Sequence, residues 1–419
     1  MPAVEQHPSA VIIGAGHAGV QAAESLRESG WAGRIVLIGE ERHAPYQRPP
    51  LSKDYLAPGQ AAEPLPLRAA SFFEQHRIEL RVDAEVASID RRSRSVQLSD
   101  GEQVPFSKLV IATGASNRML DVPGSTLSGI VGLKTLDDAV HLRGILEPSR
   151  NIVVVGAGFI GLEFASAARA MGKNVTVLEF SARPMSRALS PAMGDFFARQ
   201  HLDNGVGLRL GEGIASFSGD EDGNVVTAVS TSGARYPADL VVVGVGVAPN
   251  ISLAQAAGLE VENGIVVDHA LRTLDPDIYA VGDCASFPNP SGAGRIRLES
   301  VQNATDQAKH AAHQIVGATE ARYEPVPWFW SIQGGLRLQI AGLSAPGNNC
   351  VLRGEPGSGR FSVFCFDGET LVAVESVNKP ADHVAARKIL DQGTNPTPEQ
   401  CGDTGYDLKS LAKALALAE

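Results

Sequence analysis

Short runs of aliphatic residues recur along the chain, and several lead into a glycine turn and a segment with helical periodicity. The first run, residues 11–13, has the pattern of a buried strand, and residues 18–29 have that of a helix that ends at Gly30. Residues 35–38, with the sequence IVLI, predict the next strand. The segment therefore predicts a strand–helix–strand unit, the building block of a parallel sheet that helices cover.

The same plan returns in the middle of the chain. Residues 152–155 predict a strand, 159–171 a helix that ends at Gly172, and 175–178 the following strand. A second parallel sheet is therefore expected. Three more aliphatic runs end in a turn that contains glycine, at 108–115, 239–250 and 277–285.

The pattern changes from about residue 326 onwards, where strand-like stretches follow one another. FSVFCF and LVAVESV flank the turn Asp367-Gly368, and a helix pattern follows over 382–390. Two such stretches joined by a short Asp-Gly turn are typical of a β-hairpin. The last part of the chain thus predicts a small antiparallel α+β domain.

The two glycine turns, GAGHAG (14–19) and GAGFIG (156–161), share the spacing Gly-x-Gly-x-x-Gly. The first glycine permits the tight bend, the second lets a pyrophosphate approach the backbone, and the third lets helix and strand pack closely. The start of the helix adds free N–H groups and the positive end of its dipole. An acid follows the next strand in each unit, Glu40 and Glu179, and can bind a ribose hydroxyl. We predict two bound dinucleotides rather than two purely structural turns.

Composition narrows the class of protein. A chain of 419 residues is too long for a single core, so two or three domains are expected. Its formal net charge of -11 disfavours nucleic acid as a partner. The first ten residues lack the pattern of a signal peptide, and no apolar run reaches the roughly 18 residues of a membrane helix. We expect a soluble, cytoplasmic protein.

The four cysteines are widely scattered, with no Cys-x-x-Cys motif. Cys284, Cys350, Cys365 and Cys401 predict neither a disulfide framework nor a zinc site, and we expect no metal. Buried or incidental thiols are the interpretation for all four.

A redox pair accounts for two dinucleotide sites, with a flavin dinucleotide in the first turn and a nicotinamide dinucleotide in the second. Nicotinamide carries electrons in pairs as hydride, and flavin can accept the pair and release single electrons. Glu179 would repel the 2′-phosphate of NADPH, which favours NADH. Arg183 and Arg187 follow nearby and could instead pair with that phosphate.

The complete set of motifs resembles the FAD-dependent, NADH-linked ferredoxin reductases of bacterial cytochrome P450 and aromatic-ring dioxygenase systems. The motifs are, in order, GAGHAG (14–19), RPPLSK (48–53), IATGA (111–115), GAGFIGLE (156–163), GVGVAPN (244–250), AVGD (280–283) and PWFW (327–330). The resemblance implies an α/β fold like that of glutathione reductase, with two Rossmann-like dinucleotide-binding domains and a C-terminal α+β domain. The implied domains are a split FAD domain (1–114 and 244–325), a NAD domain (115–243) and an interface domain (326–419).

The resemblance also implies which residues bind the two cofactors. They are Gly14, Gly16, Ala18, Gly19, Gly156, Gly158, Phe159, Ile160 and Gly161 of the glycine turns, and, elsewhere, Glu40, Arg48, Lys53, Val86, Ala112, Thr113, Gly114, Lys134, Glu163, Glu179, Arg187, Gly246, Gly282, Asp283, Val301 and Trp330. Asp283 would bind the ribityl chain, and could also serve as an ordinary helix N-cap. Trp330 would lie beside the flavin, while Trp328 is expected to pack in the core. Lys134 stands where relatives often carry Arg, and a lysine keeps the charge but lacks the planar guanidinium.

Lys53 and Glu163 are the predicted catalytic residues. Read alone, Arg48 and Lys53 are two solvated charges. The resemblance places Lys53 near the flavin N5 and Glu163 opposite the flavin, on the side of the NAD domain. We hypothesise that Lys53 and Glu163 form a buried pair beside N5, where they position the nicotinamide and stabilise charge on the reduced flavin.

The expected reaction is electron transfer from NADH through FAD to a [2Fe–2S] ferredoxin, by a monomer or weak dimer. The segment HAPYQRPPLSK contains no cysteine, which argues against thioredoxin reductases, dihydrolipoamide reductases and NADH peroxidases of the same fold. A rubredoxin partner remains an alternative, as does a flavoprotein like apoptosis-inducing factor, with a mainly interaction role.

Overall fold

The structure is a computed structural model that describes residues 8–56, 65–290, 292 and 294–414. The chain forms two compact units. Unit 1 comprises Met1–Gln47, Glu63–Ser116 and Val247–Pro325, and unit 2 comprises Arg48–Ala62, Asn117–Gly246 and Val326–Glu419. Each unit contains one of the two glycine turns. The finer division into three domains stays a prediction.

Unit 1 is built on a five-stranded parallel sheet. The strands follow the order Ile278–Ala280, Lys108–Ile111, Ser9–Ile13, Arg34–Ile38 and Ile78–Arg81. Most of their side chains are buried, except along the edge strand Ile78–Arg81, as expected of a parallel sheet covered on both faces. Smaller sheets are formed by Val86–Asp90, Ser95–Leu98 and Gln103–Pro105, and by Ile265–Val266, Ala285–Pro288 and Arg295–Ile296; the strands Ala115–Asn117 and Val247–Pro249 pair as a ribbon.

Unit 2 contains a second five-stranded parallel sheet. Its order is Gly207–Leu210, Asn174–Glu179, Asn151–Val155, Leu240–Val243 and Ile130–Val131. An antiparallel sheet of Ile214–Gly219, Val225–Ser230 and Arg235–Pro237 accompanies it. The predicted strands at 152–155 and 175–178 are thus observed, each with slightly wider bounds.

Unit 2 also contains the antiparallel sheet of the C-terminal part. Its strands follow the order Trp328–Gln333, Leu336–Gly342, Thr370–Val377, Arg360–Asp367 and Asn349–Glu355. The hairpin predicted at Asp367-Gly368 is present. Phe364, Phe366 and Ile389 form the core between this sheet and the helix Pro380–Asp391. The predicted α+β character is therefore confirmed.

The helices vary widely in length. Unit 1 contains His17–Glu28, Ala70–Gln75, Ser252–Ala256, Val301–Ile315 and the 3-10 helix Gly282–Cys284; unit 2 contains Leu136–Leu146, Phe159–Ala170, Pro191–Asp203, Pro380–Asp391, Pro398–Gly402, Leu408–Ala414 and the 3-10 helices Pro49–Ser52, Asp54–Leu56 and Pro356–Ser358. Among the described residues, none of the helices has both the length and the apolar character to span a membrane.

The helix after each glycine turn ends in the same way. Gly30 has a φ of 92° and Gly172 a φ of 78°, which favour glycine. The N–H of Trp31 donates to the oxygen of Leu26 at 2.9 Å, and that of Lys173 donates to Ala168 at 3.1 Å. These bonds cap the last carbonyls of the helix before the chain turns into the next strand.

Two of the four cysteines contradict their interpretation as isolated thiols. Cys350 and Cys365 lie directly opposite each other on neighbouring antiparallel strands, with their Cα atoms 4.2 Å apart, and form a disulfide. Cys284 and Cys401 are free and buried, as expected. The prediction was wrong for the pair because the spacing of cysteines along the chain does not show which strands pair.

Candidate active site

The first glycine turn lies at the switch point of the unit 1 sheet. Strand Ser9–Ile13 is central, with Arg34–Ile38 on one side and Lys108–Ile111 on the other. Ligands of such sheets bind in the crevice at the carboxyl ends of the strands at this point. Gly14 follows the central strand directly, and a Cβ on it would lie 2.2 Å from the backbone oxygen of Ala112. Close packing of two strand ends therefore requires this glycine.

Gly16 is glycine for a different reason. It is the N-cap of helix His17–Glu28 with a φ of -80°, which any residue can adopt. No atom of the described residues lies within 4 Å of a Cβ placed on it, and no side chain caps the helix. The space over the start of the helix is open, and the free N–H groups there suit a pyrophosphate. The turn thus fits FAD.

Replacing Gly16 with valine is expected to abolish FAD binding without unfolding unit 1. The backbone tolerates the side chain, which projects into the space that the pyrophosphate needs. Flavin absorbance of the purified protein measures binding, and circular dichroism measures folding. Gly144→Val, at an exposed position of helix Leu136–Leu146 and also with open space around its Cβ, is the matched control that should retain FAD. Retention of FAD by the Gly16 variant would contradict the prediction.

Two other predicted stretches of unit 1 lie beside this turn. The hydroxyl of Thr113 donates to the oxygen of Asn250 at 2.8 Å, and the amide of Asn250 donates back to the Thr113 oxygen at 2.9 Å. Gly114, with a φ of 69°, accepts from the Asn250 N–H. These bonds join the IATGA turn to the VAPN turn.

Gly282 brings Asp283 close to the first glycine turn. A Cβ on Gly282 would lie 3.0 Å from the Cβ of Ala18, in the first turn of helix His17–Glu28. Asp283 is the second residue of the 3-10 helix Gly282–Cys284, and Val281 is its N-cap. The alternative of Asp283 as a helix N-cap is therefore wrong.

The second glycine turn repeats the first in unit 2. A Cβ on Gly156 would lie 2.5 Å from the oxygen of Gly244, and one on Gly161 2.3 Å from the oxygen of Gly156. Gly158, the N-cap of helix Phe159–Ala170, has only the Gly244 oxygen near, at 3.9 Å. Here too the outer glycines serve packing, and the middle one leaves space for a phosphate.

Glu179 ends the neighbouring strand and points back to this turn. One carboxylate oxygen accepts from the N–H of Ala157 at 2.7 Å, and the other accepts from the N–H of Ser181 at 2.8 Å. Each oxygen can accept further hydrogen bonds. The carboxylate is thus fixed beside the place where a ribose would follow the pyrophosphate.

Lys53 and Glu163 form the predicted ion pair. The Nζ of Lys53 lies 2.7 Å from Oε2 of Glu163, and the side chains are 17% and 2% exposed. Lys53 also donates to the oxygen of Pro49 at 3.0 Å. Glu163 lies on the first turns of helix Phe159–Ala170, just past the second glycine turn. Taking two charges out of water is costly, so such a pair favours a functional role over a stabilising one.

Three further donors to Glu163 escaped the sequence analysis. The hydroxyl of Ser52 donates to Oε2 at 2.8 Å, the hydroxyl of Ser331 donates to Oε1 at 2.6 Å, and the N–H of Ile332 donates to Oε1 at 3.3 Å. The only available signal was position, since Ser52 precedes Lys53 and Ser331 follows the PWFW motif. Glu163 is thus a fully bonded buried carboxylate.

Arg48 and Trp330 also lie in unit 2. The guanidinium of Arg48 donates to the backbone oxygen of Lys134 at 3.0 Å, which brings two predicted FAD ligands together. Trp330 and Trp328 stand on one face of their strand, with ring centroids 5.6 Å apart. Trp328 does not pack in the core as predicted. It is half-buried, because the guanidinium of Arg387 covers its ring at 4.5 Å.

The remaining predicted residues are located as follows. Glu40 is exposed just after its strand, Val86 is buried at the start of its strand, and Val301 is the first residue of its helix. Phe159 packs against Phe329 with ring centroids 4.7 Å apart and ring planes tilted by 51°. Ile160 is 45% exposed, and a Cβ on Gly246 would lie 3.5 Å from the guanidinium of Arg187. The assignment of these residues to cofactor atoms stays a prediction.

Comparison with known proteins supplies the family. Residues 8–308 match the model of the pyridine nucleotide-disulphide oxidoreductases. The chain belongs to this family. Residues 328–412 match a second model, the reductase C-terminal domain.

Among relatives of this oxidoreductase, rhodocoxin reductase of Rhodococcus erythropolis is 51% identical over 96% of this chain and 93% of its own. The crystal structure of the ferredoxin reductase for the CYP199A2 system of Rhodopseudomonas palustris superposes with a TM-score of 0.94 at 45% identity, over 96% of this chain and 99% of that one. The covalent putidaredoxin reductase–putidaredoxin complex superposes with a TM-score of 0.93 at 38% identity, over 99% and 100%.

These matches confirm the predicted resemblance, fold class and enzyme class. The oxidoreductase is a flavoprotein of the ferredoxin–NAD(P)⁺ reductase type, and its cofactors are FAD and NAD(P)H. The name of the family includes a disulphide, yet the segment of this chain before Lys53 contains no cysteine. The paired cysteines 350 and 365 lie instead on the C-terminal sheet.

Proposed function

We propose that this protein passes electrons from NADH through FAD to a [2Fe–2S] ferredoxin that feeds a cytochrome P450 or a ring-hydroxylating oxygenase. The observation that carries the proposal is the buried Lys53–Glu163 pair at the start of the second glycine-turn helix. This pair supplies charged groups at the proposed site without any thiol, and direct hydride transfer between two cofactors requires no thiol. The similar proteins include a rhodocoxin reductase, a ferredoxin reductase and a complex of putidaredoxin reductase with putidaredoxin, which supports a ferredoxin as the acceptor.

FAD, when bound, accepts hydride from the nicotinamide and passes the electrons on one at a time. The residues of the chain bind the two cofactors and orient them. Lys53 would hold its ammonium group near the flavin N5, and Glu163 fixes that group through the 2.7 Å contact. Arg48, Lys134 and Asp283 would contribute further contacts to FAD, with Asp283 assigned to the ribityl chain. No general base is needed, because positioning and electrostatics are the contribution of the protein.

NADH is the proposed donor because of Glu179. Its carboxylate is fixed beside the second glycine turn by two backbone N–H groups, and a 2′-phosphate at that place would meet a negative charge. Arg187, whose guanidinium lies near Gly246, and Arg183 argue against NADH, since a guanidinium could pair with a phosphate. The carboxylate is the nearer group to the turn, so NADH is favoured.

The proposal is tested by reduction of isolated electron carriers. The purified yellow protein should reduce one or more [2Fe–2S] ferredoxins in the presence of NADH, and NADPH should support at most a slow reaction. Faster reduction of a rubredoxin would identify the alternative reductase. Oxidation of NADH by oxygen alone, with neither carrier reduced, would overturn the proposal in favour of an interaction role. Size-exclusion chromatography tests the proposed monomer or weak dimer.

A further inference from the structure

Ser331 is the junction between Glu163 and a second buried network. Its side chain is fully buried on strand Trp328–Gln333, and its hydroxyl donates to Oε1 of Glu163 at 2.6 Å. The hydroxyl oxygen of Ser331 in turn accepts from Nε2 of Gln333 at 3.1 Å. Gln333 stands two residues further along the strand, on the same face, and is 2% exposed.

In this network it is clear which group donates and which group accepts each hydrogen bond. A serine hydroxyl has one proton to donate and accepts through its lone pairs. Because the amide of Gln333 donates to the Ser331 oxygen, the hydroxyl proton is free to point at the carboxylate. Gln333 thus orients the hydrogen bond that Ser331 makes to Glu163.

His201 in turn orients Gln333. Its Nε2 lies 2.9 Å from Oε1 of Gln333, on the buried face of helix Pro191–Asp203. Since the Gln333 amide nitrogen donates to Ser331, its oxygen must accept, and the proton of the imidazole is on Nε2. Burial lowers the pKa of His201, which keeps the ring neutral at pH 7. Consecutive donors of this kind polarise one another.

We infer that Ser331 is a positioning residue for hydride transfer, whose hydroxyl, oriented by Gln333 and His201, holds the Glu163 carboxylate where it binds Lys53. The inference rests on the proposed role of the Lys53–Glu163 pair. Removing the Ser331 hydroxyl leaves Oε1 with only the longer hydrogen bond from the N–H of Ile332 at 3.3 Å, so the carboxylate can turn away from the ammonium group. The C-terminal sheet thereby takes part in the reaction through a side chain that acts on Glu163.

The alternative is that Ser331, Gln333 and His201 only satisfy one another's hydrogen-bonding groups in the protein interior and have no effect on the reaction. The chain provides a control for it. Ser376 is also fully buried in the C-terminal sheet, with its hydroxyl oxygen 3.0 Å from that of Ser362. Ser376→Ala removes a buried serine hydroxyl from the same sheet without a contact to Glu163, so it reports the effect of packing alone.

The test is stopped-flow reduction of the FAD-loaded enzyme by saturating NADH, together with the midpoint potential of the flavin. Ser331→Ala should lower the saturated rate about tenfold, the effect of a lost hydrogen bond to a charged group, with KM little changed. Ser331→Cys fills the same volume with a weak donor and should be nearly as slow. It also serves as the second variant, should the alanine variant lose FAD. Ser376→Ala should keep the wild-type rate.

The outcomes separate the inference from the proposed function. A wild-type rate and potential in Ser331→Ala, alongside a slow Lys53→Met, would overturn the role of Ser331 and leave the proposed function standing. Wild-type rates in both would instead remove the proposed role of the ion pair. An equal loss in Ser376→Ala would show a general effect of packing, and would likewise overturn the inference.

Discussion

Replacing Lys53 with methionine is expected to slow reduction of FAD by NADH about a hundredfold at saturating NADH, the size of effect seen when one preorganised electrostatic group is removed. The ammonium group is held 2.7 Å from Glu163 and is 17% exposed, so its charge acts in a place that little water reaches. Methionine keeps most of the length of the side chain and removes the charge. The flavin potential should fall as well, because the reduced flavin loses a nearby positive charge.

Stopped-flow absorbance and a redox titration of the FAD-loaded variant measure the two effects. The matched control is Lys108→Met, which removes another lysine from a partly buried ion pair, with Asp277 at 2.5 Å in unit 1. That variant should reduce its FAD at the wild-type rate. If Lys53→Met does so too, and its potential is unchanged, the proposed role of the pair is wrong.

Replacing Glu375 with glutamine is expected to remove a pH dependence of stability. The carboxyl group is fully buried, and accepts from the N–H of Ser190 at 2.7 Å and from its hydroxyl at 2.6 Å. Burial raises the pKa of Glu375 from 4.5 to about 7, against the opposing effect of the hydrogen bonds from Ser190 and Ser344. Glutamine has nearly the same shape and does not ionise.

The direction in which stability changes with pH follows from which state, folded or unfolded, binds the proton of Glu375 more tightly. Below pH 4.5 both states of wild-type Glu375 are protonated, and the full contribution to stability is present. As the pH rises towards 7, the unfolded state ionises while the folded state keeps the proton, so stability is lost. The loss is about 3 kcal/mol for a shift of this size. It is complete above the folded pKa.

Urea unfolding at pH 5 and pH 8 measures this effect. The free energy of unfolding of Glu375→Gln, relative to wild type, should rise by about 2 to 3 kcal/mol between the two values, since only wild type ionises and a small part of the loss has already occurred at pH 5. Glu369→Gln, at an exposed turn between two strands of the same sheet, should show no such change. A constant difference between Glu375→Gln and wild type would contradict the prediction.

Much of the fold could be predicted because its signals are local. A buried parallel strand reads as an aliphatic run, and a glycine turn between strand and helix has few other uses. Each of the two glycine turns therefore correctly predicted a parallel sheet. The position within the motif also distinguishes two roles of glycine. The outer glycines are needed for close packing, whereas the middle one is needed only when a phosphate approaches.

The rest depends on pairs that lie far apart in the chain. Ser331 and His201 approach Glu163 only because the C-terminal sheet packs on the same unit as the second parallel sheet. Cys350 and Cys365 meet only through the register of two strands. Trp328 lies under Arg387 instead of in the core, and nothing in the PWFW motif reveals the arginine. Periodicity carries no information about such long-range neighbours.

The resemblance implies that the C-terminal domain supplies the interface for the electron carrier, so its sheet would be the piece to exchange when such a reductase is to be retargeted to a foreign carrier. In this chain the strand that would be grafted, Trp328–Gln333, also supplies the hydroxyl that Glu163 accepts. A chimera that replaced the strand with one lacking serine at position 331 would alter turnover along with carrier choice. Retargeting therefore has to keep the buried face of that strand and vary only what faces outward.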